Sequence, residues 1–235
     1  MSVQFPYLIN SIYPATEGEG LWIGHAQVFV RFQGCSIGCV NCDSQETWAF
    51  DHAYASSLQQ ITEKIRSFAP IQRVSITGGD PMHPGHKQSV LELIQWLKSH
   101  GYYVNIEAAG SRVDHQIFDL VDFISFDVKT PSTSVKTPYQ NLLKLFEQYP
   151  QKFQIKSVIA HRLDFDYCYD LFTRLKQDLK RPIENWFLTP CLETGAVFDP
   201  KKFQEIYQWN FHTGGVFRVV GQQHKWVYGT EEKLV

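Results

Sequence analysis

Arg31-Phe-Gln-Gly-Cys-Ser-Ile-Gly-Cys-Val-Asn-Cys-Asp-Ser44 is the stretch on which the reading of this chain turns. It leaves the end of an apolar, β-branched and aromatic run, Ala26–Phe32, which reads as a strand. It then sets Cys35, Cys39 and Cys42 in Cys-x3-Cys-x2-Cys spacing. Three thiolates on so short a loop can converge on one centre, and Gly34 and Gly38 relieve backbone crowding where the loop must turn. A four-iron cluster normally takes four cysteines. Three would leave one iron open to a small molecule. Two other readings fit the same spacing: a zinc site completed by His25, His83 or His86, and buried, unreactive cysteines.

Working outward from that loop, strand patterns recur at Arg73–Ile76, Tyr102–Ile106, Phe123–Phe126, Phe153–Ile159, Trp186–Leu188 and Val216–Val220. Between them lie amphipathic stretches with helical spacing at Leu58–Phe68, Lys87–Ser99, Asp114–Leu120, Tyr139–Gln148, Tyr167–Leu179 and Lys201–Gln208. In Lys87–Ser99, Val90, Leu93, Ile94 and Leu97 recur at three- and four-residue steps and make one apolar face, and Gly101 suits the stop. This alternation predicts an α/β fold with a mostly parallel sheet. Periodicity leaves open whether the sheet curls into a partial barrel. In either geometry ligands gather at the carboxyl ends of the strands.

A chain of 235 residues, 43% hydrophobic and 20% charged, suits a single α/β domain over 1–235. A formal charge of −2 gives no global electrostatic reason to bind nucleic acid. No secretory pattern opens the sequence and no apolar run approaches the roughly 20 residues of a membrane helix, so no membrane partner and a cytoplasmic location are expected. Five cysteines, an odd number, argue against a disulfide framework.

A second motif, Ser75-Ile-Thr-Gly-Gly-Asp-Pro81, ends a predicted strand. Paired glycines let a ligand approach backbone closely, although Gly-Gly alone also suits an ordinary turn. With the cysteine loop it resembles the radical S-adenosylmethionine (SAM) superfamily, in which a Gly-Gly-Glu-Pro-like segment lies after the second core strand near the SAM amino group. Thr16-Glu-Gly-Glu-Gly20, Gly24, Val28-Phe-Val-Arg31, Cys-Asp-Ser at 42–44, Asp127-Val-Lys-Thr-Pro-Ser132 and Gln222-Gln-His-Lys225 resemble more narrowly the 7-carboxy-7-deazaguanine synthase family.

That resemblance implies an abbreviated, partial radical SAM (β/α) barrel. It implies a lyase with a [4Fe-4S] cluster on Cys35, Cys39 and Cys42, and SAM bordered by Asn41, Cys42, Asp43, Gly79, Asp127, Val128 and Lys129. The segment from Thr189 to Leu192 matches a later SAM-proximal stretch, and Ser44 stands where a threonine hydroxyl binds Mg2+. Thr16, Glu17, Gly18, Glu19, Arg31, Thr77 and His224 match substrate contacts for a carboxylated pterin, whose carboxylate suits a guanidinium. A reducing donor such as flavodoxin or ferredoxin, a homodimer and a place in queuosine biosynthesis are implied likewise.

Several positions depart from the family pattern. Glu17 replaces Gln, which removes an amide donor and adds charge; Asp80 replaces Glu; Ser44 replaces Thr; Glu107-Ala-Ala-Gly110 lacks the usual Thr-Asn; and Gly229 to Val235 finds no match to a substrate-contacting terminal carboxylate. Two alternative functions remain: a glycyl-radical activating enzyme, which shares the cysteine loop, and a non-catalytic zinc module of three cysteines and one histidine.

Overall fold

The computed structural model describes residues 7–192, 195–197 and 199–230. In chain order the regular elements are β1 (Tyr7–Thr16), β2 (Ala26–Phe32), β3 (Ala55–Ser56), α1 (Leu58–Arg66), β4 (Arg73–Gly78), α2 (Lys87–Ser99), β5 (Tyr103–Ala108), α3 (His115–Leu120), β6 (Phe123–Asp127), α4 (Tyr139–Gln148), β7 (Phe153–Ile159), α5 (Arg162–Leu179), β8 (Trp186–Pro190), α6 (Pro200–His212), β9 (Arg218–Val219) and α7 (Gln223–Tyr228). The nine strands form one sheet in the order β3-β1-β2-β4-β5-β6-β7-β8-β9. Neighbours from β2 to β9 run parallel, as expected from strand–helix alternation. Pairing ends at β3 and β9, so this is an open sheet of barrel-type β/α units.

The strand β1 departs from the predicted set. It runs antiparallel to β2 and extends the sheet beyond the repeat. Pro14 lacks a backbone donor, which weakens a strand reading from sequence. It is tolerated because β3 covers only Tyr7 and Leu8 of β1, leaving the edge beside Pro14 open. The helix α5 begins five residues before its apolar pattern does. The Asp164 carboxylate accepts the N–H groups of Ala160 and His161 at 2.9 and 3.1 Å and so holds a polar first turn in place. The short α7 was absent from the periodic pattern as well.

Strand residues alternate between two faces. On the outer face, Val28, Val30, Phe32, Val74, Ile76, Val104, Ile106, Ile124 and Phe126 are fully buried in one core with residues of α1 to α6. Val90, Leu93, Ile94 and Leu97 of α2 enter that core as their spacing predicts. The helix ends in a Schellman arrangement, with Gly101 N–H donating to Lys98 and Tyr102 N–H to Leu97.

The inner face is polar. Asn105 donates to Ser75 Oγ at 2.8 Å, Ser125 donates to Asn105 Oδ1 at 3.3 Å, and Gln154 donates to Ser125 Oγ at 2.9 Å. Gln154 Oε1 then accepts Leu21 N–H at 2.6 Å, tying the β1–β2 connection across the sheet. Trp22 packs edge-on to Tyr103 and Phe123 at the amino ends of β5 and β6. The amino end of the inner face is thereby covered, and its carboxyl end is left for a cavity.

Candidate active site

A cavity of about 330 Å³ lies at the carboxyl ends of the parallel strands, at the small end of the roughly 300–1,000 Å³ range of small-molecule sites. The residues expected at the cluster, SAM, Mg2+ and substrate positions line it, and of the stretch from Thr189 to Leu192, Cys191 and Leu192 do. Cys35, Cys39, Asn41, Cys42, Asp43 and Ser44 come from the loop after β2. Gly79 follows β4, and Asp127, Val128 and Lys129 stand at the end of β6. Thr16, Glu17, Gly18 and Glu19 come from the end of β1 and its connection, Arg31 and Thr77 from β2 and β4, and His224 from α7. Arg31 and Thr77 are register partners, so the parallel pairing itself sets them side by side.

The cysteine loop is held by backbone. Gly34 N–H donates to Thr47, Cys35 N–H to Trp48, Gly79 N–H to Phe32 and Asp80 N–H to Gly34. This explains the paired glycines. A Cβ on Gly78 would come within 2.3 Å of Phe32 backbone, and one on Gly79 within 2.4 Å of the Gly34 carbonyl. What approaches the Gly-Gly backbone is the cysteine loop itself. Asp80 is not a cavity residue. It is fully buried, accepts Met82 N–H at 3.1 Å and pairs with Arg112 at 3.2 Å, so it anchors this junction from below.

The donor set fits an iron–sulfur cluster better than zinc. All three cysteines are half-buried on one cavity wall. Ile37 N–H points at Cys35 Sγ and Ser44 N–H at Cys42 Sγ, each at 3.4 Å, so backbone donors orient two of the three sulfurs. Burial pushes the Cys39 thiol up, and the Lys129 ammonium opposes it. Among the described residues no three His, Cys, Asp or Glu side chains are gathered around a single metal-ion site. The three histidines offered as a zinc ligand are placed elsewhere. His83 Nδ1 accepts Gly85 N–H, His86 faces the Gly34 carbonyl and stacks on Phe50, and His25 packs edge-on to Trp22. Cys168 is a core residue of α5, and Cys191 lines the cavity with Leu192.

Charge is arranged in pairs around the cavity. Lys129 holds Asp127 at 2.7 Å; burial would lower its ammonium, but Asp127 and Cys39 outweigh that and keep it protonated. Lys156 holds Glu107 at 2.6 Å. Arg31 donates to Tyr13 Oη at 2.8 Å and to Ser44 Oγ at 3.2 Å, while Ser44 donates to Asp43 at 3.1 Å. Ser44 and Asp43 thus set a hydroxyl oxygen and a carboxylate oxygen side by side, the hard-oxygen type that Mg2+ takes. Glu19 accepts Gln222 at 2.6 Å and Thr189 at 3.4 Å, joining the first and last segments of the site. The His224 imidazole lies against Gly18 where any Cβ would collide, and burial pulls its pKa down.

Sequence reasoning passes over Tyr13 and Lys156, takes Gln222 only as part of a motif, and treats Glu107 only as part of a departing stretch. Period-two reading of β5 and β7 marks Glu107 and Lys156 as inward-facing polar positions; Tyr13 carries no such signal. Of the terminal stretch Gly229 to Val235, Thr230 lines the cavity and residues 231–235 lie outside the described residues.

Residues 16–128 match a family model described as a 4Fe-4S single cluster domain. The chain is 30% identical to the 7-carboxy-7-deazaguanine synthase of Chlorobaculum tepidum over the whole of both chains. It is 27% identical to that of Koribacter versatilis, covering 97% of this chain and 99% of that one. Among solved structures, QueE from Escherichia coli superposes with a TM-score of 0.67 at 21% identity, covering 93% of this chain and 95% of that one, a likeness of fold. A radical SAM methyltransferase from Sphaerobacter thermophilus shares the fold more distantly, with a TM-score of 0.56 at 13% identity, covering 84% and 66%.

Proposed function

This chain belongs to the 7-carboxy-7-deazaguanine synthase family, and from that premise we propose that it converts 6-carboxy-5,6,7,8-tetrahydropterin to 7-carboxy-7-deazaguanine with release of ammonia, in queuosine and 7-deazapurine biosynthesis. The observation that carries the reading is spatial: residues drawn from Thr16 to His224 meet in one cavity, with the three cysteines on its wall. When bound, the cluster supplies the electron that splits SAM, and SAM supplies the power to take hydrogen from the pterin.

In this reading Cys35, Cys39 and Cys42 hold the cluster, and Asn41, Asp43, Gly79, Asp127, Val128 and Lys129 border SAM. The Lys129–Asp127 pair keeps both charges satisfied inside the site. Arg31, aimed by Tyr13, grips the substrate carboxylate. Ser44 presents its hydroxyl to Mg2+. Thr16, Glu17, Gly18, Glu19, Thr77 and His224 surround the ring system. The Gln154 anchor fixes the Glu17–Glu19 segment from beneath, so the floor of the site is set before substrate arrives.

The proposal extends to one domain over 1–235, a homodimer in the cytoplasm, and a reducing donor such as flavodoxin or ferredoxin. Among the described residues no helix is long and apolar enough to cross a membrane. Anaerobic incubation of the iron-loaded protein with SAM, reductant, Mg2+ and the carboxytetrahydropterin, read by mass spectrometry, tests it. We expect the deazapurine and one ammonia per turnover; unchanged pterin beside active SAM cleavage would reject the substrate.

A further inference from the structure

The floor of the cavity gathers three carboxylates, Glu17, Glu19 and Glu107, around one internal ammonium, Lys156. Their surroundings differ. Glu107 is paired with Lys156 at 2.6 Å and also accepts Asn105 Nδ2 at 2.8 Å. Glu19 accepts Gln222 Nε2 at 2.6 Å and is only half-buried. Glu17 is 6% exposed, and its hydrogen-bond partners are neutral: Gln27 Nε2 at 2.8 Å and the Glu19 N–H at 3.4 Å. Gln27, from β2, is itself 1% exposed. The charged and titratable groups around Glu17 are Glu19 on its own segment, Glu107 from β5, Lys156 from β7 and His224 from α7. The one ammonium among them is already taken by Glu107.

A buried carboxylate without a cation of its own, beside two others, is the member of such a cluster that keeps a proton. A neutral carboxylic acid donates one hydrogen bond and accepts another; an ionised one only accepts. On its carbonyl side the pyrimidinone ring of a pterin presents a carbonyl and an N–H side by side, which matches the neutral form and leaves the ionised form one donor short, whereas the N–H and amino group on its other side suit the ionised form; burial among carboxylates is what favours the first pairing. On the pterin reading proposed above, we infer that Glu17 meets the substrate as a neutral carboxylic acid, so its protonation decides which form of the enzyme binds the pterin.

Burial first, and then the Glu107 charge, push the Glu17 carboxyl up to about 7, against the pull of Lys156 and Gln27. The sign follows. Below that value the acid form dominates and binding is intact; above it the carboxylate adds charge to the floor and binding falls. His224 lies on the acid side of this window, because burial lowers it.

The test is the dissociation constant of 6-carboxy-5,6,7,8-tetrahydropterin for the anaerobic, cluster-loaded protein with SAM and without reductant, measured from pH 6 to pH 8.5. For the native chain we expect affinity to drop about tenfold between pH 6 and pH 8, the ratio set by an acid form with a pKa of about 7. Glu17→Gln, similar in shape and permanently neutral, should lose that drop. Glu107→Gln should move the midpoint to lower pH, because it removes a neighbouring charge and frees Lys156. A native profile without the drop, or the same drop in Glu17→Gln, overturns the inference. Pterin that binds with this profile but is not converted when reductant is added sinks the catalytic reading alone, and pterin that never binds sinks both.

Discussion

On one side of β4 and β5, Val74, Ile76, Val104 and Ile106 are fully buried with Leu93 and Ile94 of α2. On the other side of the same two strands, Ser75, Asn105 and Glu107 pass hydrogen bonds from residue to residue toward the cavity. The outer face is held by area removed from water, which is non-directional and tolerates one apolar residue for another at modest cost. The inner face is held by directional bonds between buried polar groups, where each lost partner leaves another unsatisfied. Stability and chemistry are thus assigned to opposite sides of one sheet, and substitutions on the two sides should separate cleanly.

The largest effect is expected where the inner side opens onto the cysteine loop. Cys35→Ala, Cys39→Ala or Cys42→Ala should each abolish iron–sulfur binding and SAM cleavage, seen as loss of brown colour, of iron on analysis and of 5′-deoxyadenosine. The apo chain should keep its secondary structure by circular dichroism, since the outer core does not include these residues. An apo chain that unfolds instead would mean that the cluster, and not the outer face, holds the fold.

Leu93→Ala comes next. Leu93 is fully buried on α2, and truncating such a side chain costs about 2–5 kcal/mol through lost burial and the cavity left behind. We expect urea unfolding at correspondingly lower denaturant, with KM for the pterin unchanged in the protein that remains folded. Gln154→Ala should do the reverse in proportion. It strands the Leu21 N–H and takes a donor from the Ser125 hydroxyl, which keeps its bond to Asn105, costing about 1–3 kcal/mol, and it loosens the segment that carries Glu17 and Glu19. KM should rise severalfold. An unchanged KM would show that the segment is held without its anchor.

The same division explains what could be read in advance. Lys87–Ser99, Tyr139–Gln148 and Phe153–Ile159 agree with the structure residue for residue, because a pattern of burial on one face is written locally, in steps of two or of three and four. The cysteine loop was legible for another reason: three residues of one reactive type lie close together on the chain. The Lys156–Glu107 pair was not legible, since its members lie 49 positions apart and meet only through the register of β5, β6 and β7. The early start of α5 escaped for a similar reason: Asp164 also accepts the N–H of Ser132, 32 positions away. The Gly-Gly-Asp-Pro segment reads as SAM-proximal by resemblance, but a motif does not say which way its carboxylate turns. Here it turns to Arg112.

The smallest expected effect probes the outer side at its rim. Ser57 caps α1 in a reciprocal arrangement: its hydroxyl accepts Gln60 N–H at 3.2 Å, and the Gln60 side chain accepts Ser57 N–H at 2.8 Å. Ser57→Ala removes one half of this box and should cost about 1 kcal/mol. α1 contributes Ile61 and Ile65 to the outer core and no residue to the cavity wall. Its loosening therefore has a route to stability but none to the pterin. A small drop in urea midpoint with KM and the Glu17 pH profile unmoved is the expected result. A shift in KM from so mild a change, at a helix cap on the far side of the sheet, would show that the outer face tunes the inner one through the strands between them, and the separation of the two sides would fail.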